Sequence, residues 1–132
     1  MTQHQKLEKV FVYGTLKRGR GNHHFLANQR LIGNATTVQT YLMWDGIGFP
    51  RVGVPCGMFK SYAAPVCGEL YSVDAEALAG MDRLEDHPKF YKRTEITVYL
   101  GKQPVKAWCY LIVDSPKHSP VRPDAVTKTL TW

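Results

Sequence analysis

The chain has 132 residues, 44% of them hydrophobic, and 17 Lys and Arg against 11 Asp and Glu, for a net charge of +6. That length supplies one hydrophobic core and is too short for two ordinary domains, so residues 1–132 read as a single domain. No stretch approaches the roughly 18 to 20 apolar residues of a membrane span, and the opening Met1-Thr2-Gln3-His4-Gln5-Lys6 is too polar for a signal peptide, so a soluble cytoplasmic protein with no membrane partner is expected.

In chain order, Lys9 to Tyr13 is a near-continuous apolar run, which predicts a strand buried on both faces. It ends in Gly14, and a basic loop follows that carries Lys17, Arg18 and Arg20. Asn22 is placed to cap a helix that would carry Phe25, Leu26 and Leu31 toward the core and leave through Gly33-Asn34 in a left-handed exit. From Thr36 to Trp44 the composition is β-like, and Asp45-Gly46 signals a turn. Glycines and the prolines Pro50, Pro55 and Pro65 make 46–65 a winding segment with short strands at most.

Val66 to Val73 then reads as a strand, with Val66, Gly68, Leu70 and Ser72 on one face and Cys67, Glu69, Tyr71 and Val73 on the other. Asp74 can cap a helix to about Leu84 that buries Leu78 and Met81. Pro88 disfavours helical geometry at His87 and forces an exit. Arg93 to Leu100 and Val105 to Val113 are predicted as a hairpin joined by residues 101–104. Beyond Asp114 three prolines among small and charged residues predict a loop or tail, with a short helix starting near Asp124 as an option.

Three cysteines, Cys56, Cys67 and Cys109, show no Cys-x-x-Cys spacing, so neither a disulfide framework nor a zinc site is indicated. They read as reduced core or half-buried thiols. Lys17, Arg18 and Arg20 form the one dense basic cluster, and no aromatic-interleaved basic stripe accompanies it, so no nucleic-acid partner is expected. The positive balance then reads as attraction of acidic substrates or as plain solubility.

Two segments carry chemistry. The strand that breaks at Tyr13-Gly14-Thr15-Leu16 leaves backbone N–H groups free to meet an anionic or carbonyl oxygen. Met81-Asp82-Arg83-Leu84-Glu85 offers one acid at a helix end. Taken singly, these residues have plainer readings: Glu85 as a solvated carboxylate, Gly14 as a turn glycine, Tyr13 and Tyr91 as core-edge aromatics, Arg93 as an ion-pairing strand residue. His23, His24 and His87 read as structural or surface groups, because no carboxylate or cysteine stands at ligand spacing.

Taken together, Phe11-Val12-Tyr13-Gly14-Thr15-Leu16-Lys17-Arg18-Gly19, Gly21-Asn22-His23, Val66-Cys67-Gly68-Glu69-Leu70-Tyr71, and Asp82-Arg83-Leu84-Glu85 with Pro88 and Tyr91-x-Arg93 resemble the γ-glutamylcyclotransferase-like superfamily, which includes γ-glutamylamine cyclotransferases and the AIG2-like proteins. The resemblance covers residues 8–113. It implies an α+β fold with a curled, barrel-like sheet and flanking helices, and a pocket between the glycine loop and the acid. It also implies cleavage of a γ-glutamyl amide or amine without cofactor or metal, the substrate's own α-amine attacking its γ-carbonyl to release 5-oxoproline. Glu85 is then the catalytic acid and base, and Tyr13, Gly14, Thr15, Leu16 and Tyr91 bind substrate.

On this reading a partly dry pocket raises the Glu85 pKa, with Asp86 able to push in the same direction. Lys17 and Arg18 attract the substrate carboxylate at long range, and the leaving group projects over residues 46–55 toward solvent. The family pattern commonly has glycine after the acid, where this chain has Asp86, a residue that tolerates left-handed geometry. The alternative is a noncatalytic member that binds an acidic small ligand or protein partner through the same pocket or through Lys17 to Arg20. The leaving amine and the oligomeric state are not legible in the sequence.

Overall fold

The computed structural model describes residues 6–46 and 48–132; the polar start at 1–5, and Ile47 within the winding segment, lie outside the described residues. The chain runs through β1 (Glu8–Val12), a 3-10 turn (His23–Leu26), β2 (Arg30–Thr37), β3 (Leu42–Asp45) and β4 (Pro50–Gly53). A second 3-10 segment (Gly57–Tyr62), β5 (Cys67–Val73), helix α1 (Ala75–Leu84), β6 (Tyr91–Leu100) and β7 (Gln103–Ile112) follow. Five strands close into a barrel in the order β1-β5-β2-β6-β7, while β3 and β4 pair as a separate hairpin. Closure is made by a short parallel contact of β1 with β7 at Val10 and Trp108.

Alternation along the strands builds two cores. Phe11, Ala35, Leu70, Ile96, Val98, Ala107, Cys109 and Leu111 come from all five barrel strands and pack together with Met43 and Val52 of the hairpin. The residues between them, Val10, Val12, Tyr71, Val73 and Tyr110, meet Leu26 and the Leu78 and Met81 face of α1. Each such buried Leu or Met contributes about 1.5–3 kcal/mol relative to exposure. The Asp74 carboxylate caps α1 by accepting from Ala77 N at 2.8 Å, and Asp74 N donates to Gln29 Oε1 at 2.9 Å. No helix among the described residues is long and apolar enough to cross a membrane.

The predicted helix from Asn22 to Gly33 does not form. Only the His23–Leu26 turn is helical, Asn22 makes no side-chain cap, and Leu31 lies in β2. Tertiary pairing overrides the local cap signal here: residues 30–36 pair with β5, and the register shifts between Leu31 and Gly33. A Cβ on Gly33 would come within 3.1 Å of the Leu100 side chain, so this glycine marks an irregular strand beside a close neighbour. The β-like stretch from Thr36 to Trp44 is likewise divided, its first residues finishing β2 and its last forming β3.

Residues 114–132 pack rather than trail, and no helix starts at Asp124. Its carboxylate instead accepts from Val126 N and Thr127 N in a turn. Leu130 then pairs with Val66, is 1% exposed, and exchanges backbone bonds of 2.8 and 2.9 Å with Cys67 N and Pro65 O. Of the thiols, Cys109 is buried and Cys67 half-buried, but Cys56 is exposed, because the 3-10 segment that follows it buries no residue.

If residues 114–132 were a free tail, Leu130→Ala would leave stability unchanged. As a core leucine it should cost about 2–5 kcal/mol, measured as a lowered urea midpoint with unchanged slope.

Candidate active site

At the open end of β1 a cavity of about 280 Å³ is lined by Tyr13 to Leu16, Asn22, the β3–β4 tip at Gly48, Phe49 and Pro50, the end of α1 at Leu84 and Glu85, and Tyr91 and Tyr110. All six residues singled out in the sequence, Tyr13, Gly14, Thr15, Leu16, Glu85 and Tyr91, therefore share one cavity wall. They come from three separate elements that the barrel brings to one end.

The loop after β1 is held by bonds that do not use its first amides. Lys17 N donates to Gly14 O at 3.0 Å, and Asn22 N and Nδ2 donate to Thr15 O and Oγ1, both at 2.9 Å. Arg18 N donates to the buried Glu69 carboxylate at 2.7 Å, which also accepts from the Tyr71 hydroxyl at 3.1 Å. Among the described residues nothing accepts from the N–H groups of Gly14, Thr15 and Leu16. Gly14 does not take a positive φ. It is required by space, since a Cβ there would sit 2.8 Å from the Pro50 ring.

Glu85 is the C-cap of α1 and its N–H still bonds Met81 O at 2.9 Å. Asp86 then turns the chain at φ 52°, so aspartate fills the left-handed position, as its tolerance of that geometry allows. The turn is tied by Phe90 N to Asp86 O at 3.0 Å and Tyr91 N to Glu85 O at 3.3 Å. Among the described residues the Glu85 carboxyl has no ion pair. Burial alone pushes its pKa up to about 7, so Asp86 is not a cause. Desolvation also raises Tyr13, Tyr91 and Tyr110, keeping these phenols neutral.

Each phenol is oriented. Tyr13 donates to Tyr110 O at 2.5 Å, Tyr91 to Pro50 O at 2.8 Å and Tyr110 to Asp82 Oδ1 at 2.6 Å. Asp82 in turn lies 3.1 Å from Arg93 Nε. Tyr110, Asp82 and Glu69 escaped the sequence reading as contributors to the site. Tyr110 lies inside a regular strand pattern, and the two carboxylates act through partners far away in sequence. His23 Nδ1 lies 3.0 Å from Leu16 O and His87 Nδ1 accepts from Arg93 N at 2.9 Å, both structural roles.

The basic cluster is not at the cavity. Lys17 Nζ and Arg20 Nη2 donate to the main-chain oxygen of Trp132, Arg20 covers the Trp132 ring at 4.8 Å, and Arg18 faces Glu69. Lys17 and Arg18 therefore make no wall of the cavity, and the packed C-terminal segment and Glu69 engage them locally.

Comparison with known proteins gives a consistent result. The profile of the family described as gamma-glutamyl cyclotransferase, AIG2-like, matches residues 10–128. A Methanocaldococcus jannaschii protein, named provisionally as a gamma-glutamylcyclotransferase, is 35% identical over 112 residues, covering 83% of this chain and 88% of that protein. The gamma-glutamylaminecyclotransferase of Mus musculus is 36% identical over 104 residues, covering 67% of this chain and 62% of its own length. The crystal structure of an AIG2-like protein from Mus musculus superposes with a TM-score of 0.73 at 28% identity, covering 86% and 82% of the two chains.

A folded-state pKa raised to about 7 from 4.5 means that the stability linked to Glu85 is complete below the lower value and lost as pH rises through the upper one. A glutamine there never ionises. Glu85→Gln should therefore leave stability unchanged at pH 4 and raise it at pH 8 by on the order of 3 kcal/mol at most, read as an unchanged melting temperature at the lower pH and a higher one at the upper.

Proposed function

This chain belongs to the gamma-glutamyl cyclotransferase, AIG2-like family, and from that membership we propose that it is a cofactor-independent cyclotransferase acting on a γ-glutamyl amide or amine. The observation that carries the reading is the pairing, in one cavity, of an unpartnered Glu85 carboxyl with a pKa near 7 and the free N–H groups of Gly14, Thr15 and Leu16.

The reaction forms a bond from the substrate's α-nitrogen to its γ-carbonyl carbon and breaks the bond from that carbon to the departing nitrogen. Over the cycle the α-ammonium gives up two protons and the departing amine takes up two, so no proton is gained or lost. One group that accepts and returns protons near neutral pH is sufficient, and Glu85 has that pKa. The free amides of the loop bind the α-carboxylate or the oxyanion that develops on the γ-carbonyl; one such donor typically contributes about 3 kcal/mol to the barrier. Holding the chain folded back on itself removes much of the entropic barrier, up to about 7–11 kcal/mol in well-oriented cases.

Incubation with a panel of γ-glutamyl amides, with 5-oxoproline detected by mass spectrometry, tests the proposal. Turnover should fall about 10²- to 10⁴-fold in Glu85→Gln. Because the free enzyme must present the carboxylate as base, kcat/KM should drop below pH 7 and level off above it. A glutaryl amide lacks the α-amine and should release nothing; its hydrolysis at a comparable rate would make water the attacker and overturn the cyclotransferase reading.

A further inference from the structure

Arg51 stands beside the cavity, near enough to Tyr91 to act on its hydroxyl, and has no ion-pair partner among the described residues. It follows Phe49 and Pro50, both of which line the cavity. Its guanidinium carbon lies 5.4 Å from the Phe49 ring centroid and 5.5 Å from that of Phe90. Phe90 packs edge-on against Tyr91 at 5.0 Å, and the Tyr91 hydroxyl reaches back to Pro50 O at 2.8 Å. Arg51 is thus held by aromatic rings beside the wall formed by the β3–β4 tip. Its Nε is buried with no hydrogen-bond acceptor.

Arg93, Lys17 and Arg18 differ in this respect. Arg93 Nε, although it makes no well-aligned hydrogen bond, has Asp82 at 3.1 Å, and the guanidinium carbon lies over Trp108 at 4.7 Å. The Lys17 ammonium donates to Trp132 O, and the Arg18 guanidinium lies 3.9 Å from the Glu69 carboxylate. Contacts with aromatic faces compensate a guanidinium only in part, and a planar donor fork lacking an acceptor is suited to bidentate pairing with a carboxylate.

We infer that Arg51 determines leaving-group specificity by binding a carboxylate carried on the departing amine, so that the enzyme acts on γ-glutamyl amino acids in preference to uncharged γ-glutamyl amines. The inference rests on the function proposed above. With the γ-glutamyl head between Glu85 and the Gly14–Leu16 amides, the departing nitrogen carries its substituent toward the Phe49 and Pro50 wall. A carboxylate one carbon from that nitrogen is then placed to meet the guanidinium packed over the Phe49 ring. A site with a dedicated cation discriminates strongly against the analogue that lacks the anion, because the cation is then left unpaired.

γ-Glutamyl-alanine and γ-glutamyl-alaninamide have almost the same size and differ in that one charge. Their Kd values are measured by calorimetry in Glu85→Gln, which removes turnover from the readout. The acid should bind on the order of tenfold more tightly than the amide, and Arg51→Gln added to that background should bring the two within about twofold of each other by weakening the acid alone. Arg51→Lys, which keeps the charge, should retain a preference for the acid and serves if the glutamine variant does not fold. Equal affinities in the Arg51 protein, a preference that survives Arg51→Gln, or equal weakening of both ligands would overturn the inference. Binding of the acid in preference to the amide without 5-oxoproline formation by the unmutated enzyme would overturn the proposed reaction, and with it the leaving-group role, and leave Arg51 as a carboxylate-binding residue only, whereas failure of both ligands to bind overturns both readings.

Discussion

Val10, Phe11 and Val12 have no solvent-facing side, with exposures of 0%, 1% and 3%, because β5 pairs with one edge of their strand, β7 touches the other, and the two cores take its two faces. A strand in that position cannot slip by one residue without exchanging Phe11 for its neighbours between the cores. Gly68 tightens the constraint, since a Cβ there would sit 2.3 Å from Val12 O. The end of the strand is therefore fixed in space, and with it the amides of Gly14, Thr15 and Leu16. Pro50, packed where a Gly14 side chain would be, brings the β3–β4 tip to the same place.

Against that fixed edge stands a carboxyl group kept in a poorly solvated position. Burying Glu85 opposes its ionisation, and the cost is offset by a scaffold that surrounds it from elsewhere. The Met81 and Leu78 face of α1 holds the helix on the barrel, and the Asp86 turn passes the chain directly to β6. Tyr13, Tyr91, Cys109 and Tyr110 stand near enough to the acid to feel its charge, so the groups around it come from the barrel, while the packing of α1 sets where it stands.

The parts legible in the sequence are those whose signals are local. The run from Val10 to Val12, the Asp74 cap of α1 and the β6–β7 hairpin depend on residues adjacent in the chain, and each is found within two residues of its expected limits. The residues assembled around the cavity were legible through the motif that contains them. What was hidden depends on distant partners. Residues 30–33 look helical until β5 is available to pair with them, Leu130 looks like part of a tail until Val66 receives it, and Lys17 looks free until Trp132 arrives. The polar second tier of the site, Tyr110 on Asp82 and Arg18 on Glu69, joins residues 28 and 51 positions apart, a separation that no local pattern encodes.

The orientation of the phenols has one more implication. Tyr91 and Tyr110 spend their hydroxyl protons on Pro50 O and Asp82, which leaves only lone pairs on those oxygens, while the amides of Gly14 to Leu16 can only donate. The cavity thus has one side that gives hydrogen bonds and another that receives them, with a carboxyl group as a third fixed point. A head group that bears an ammonium and a carboxylate on one carbon can match that arrangement in one sense only, because its mirror image would bring each charge to the wrong side. Under the function proposed above, the direction of two phenolic protons thus helps to set which hand of such a head group the enclosure accepts.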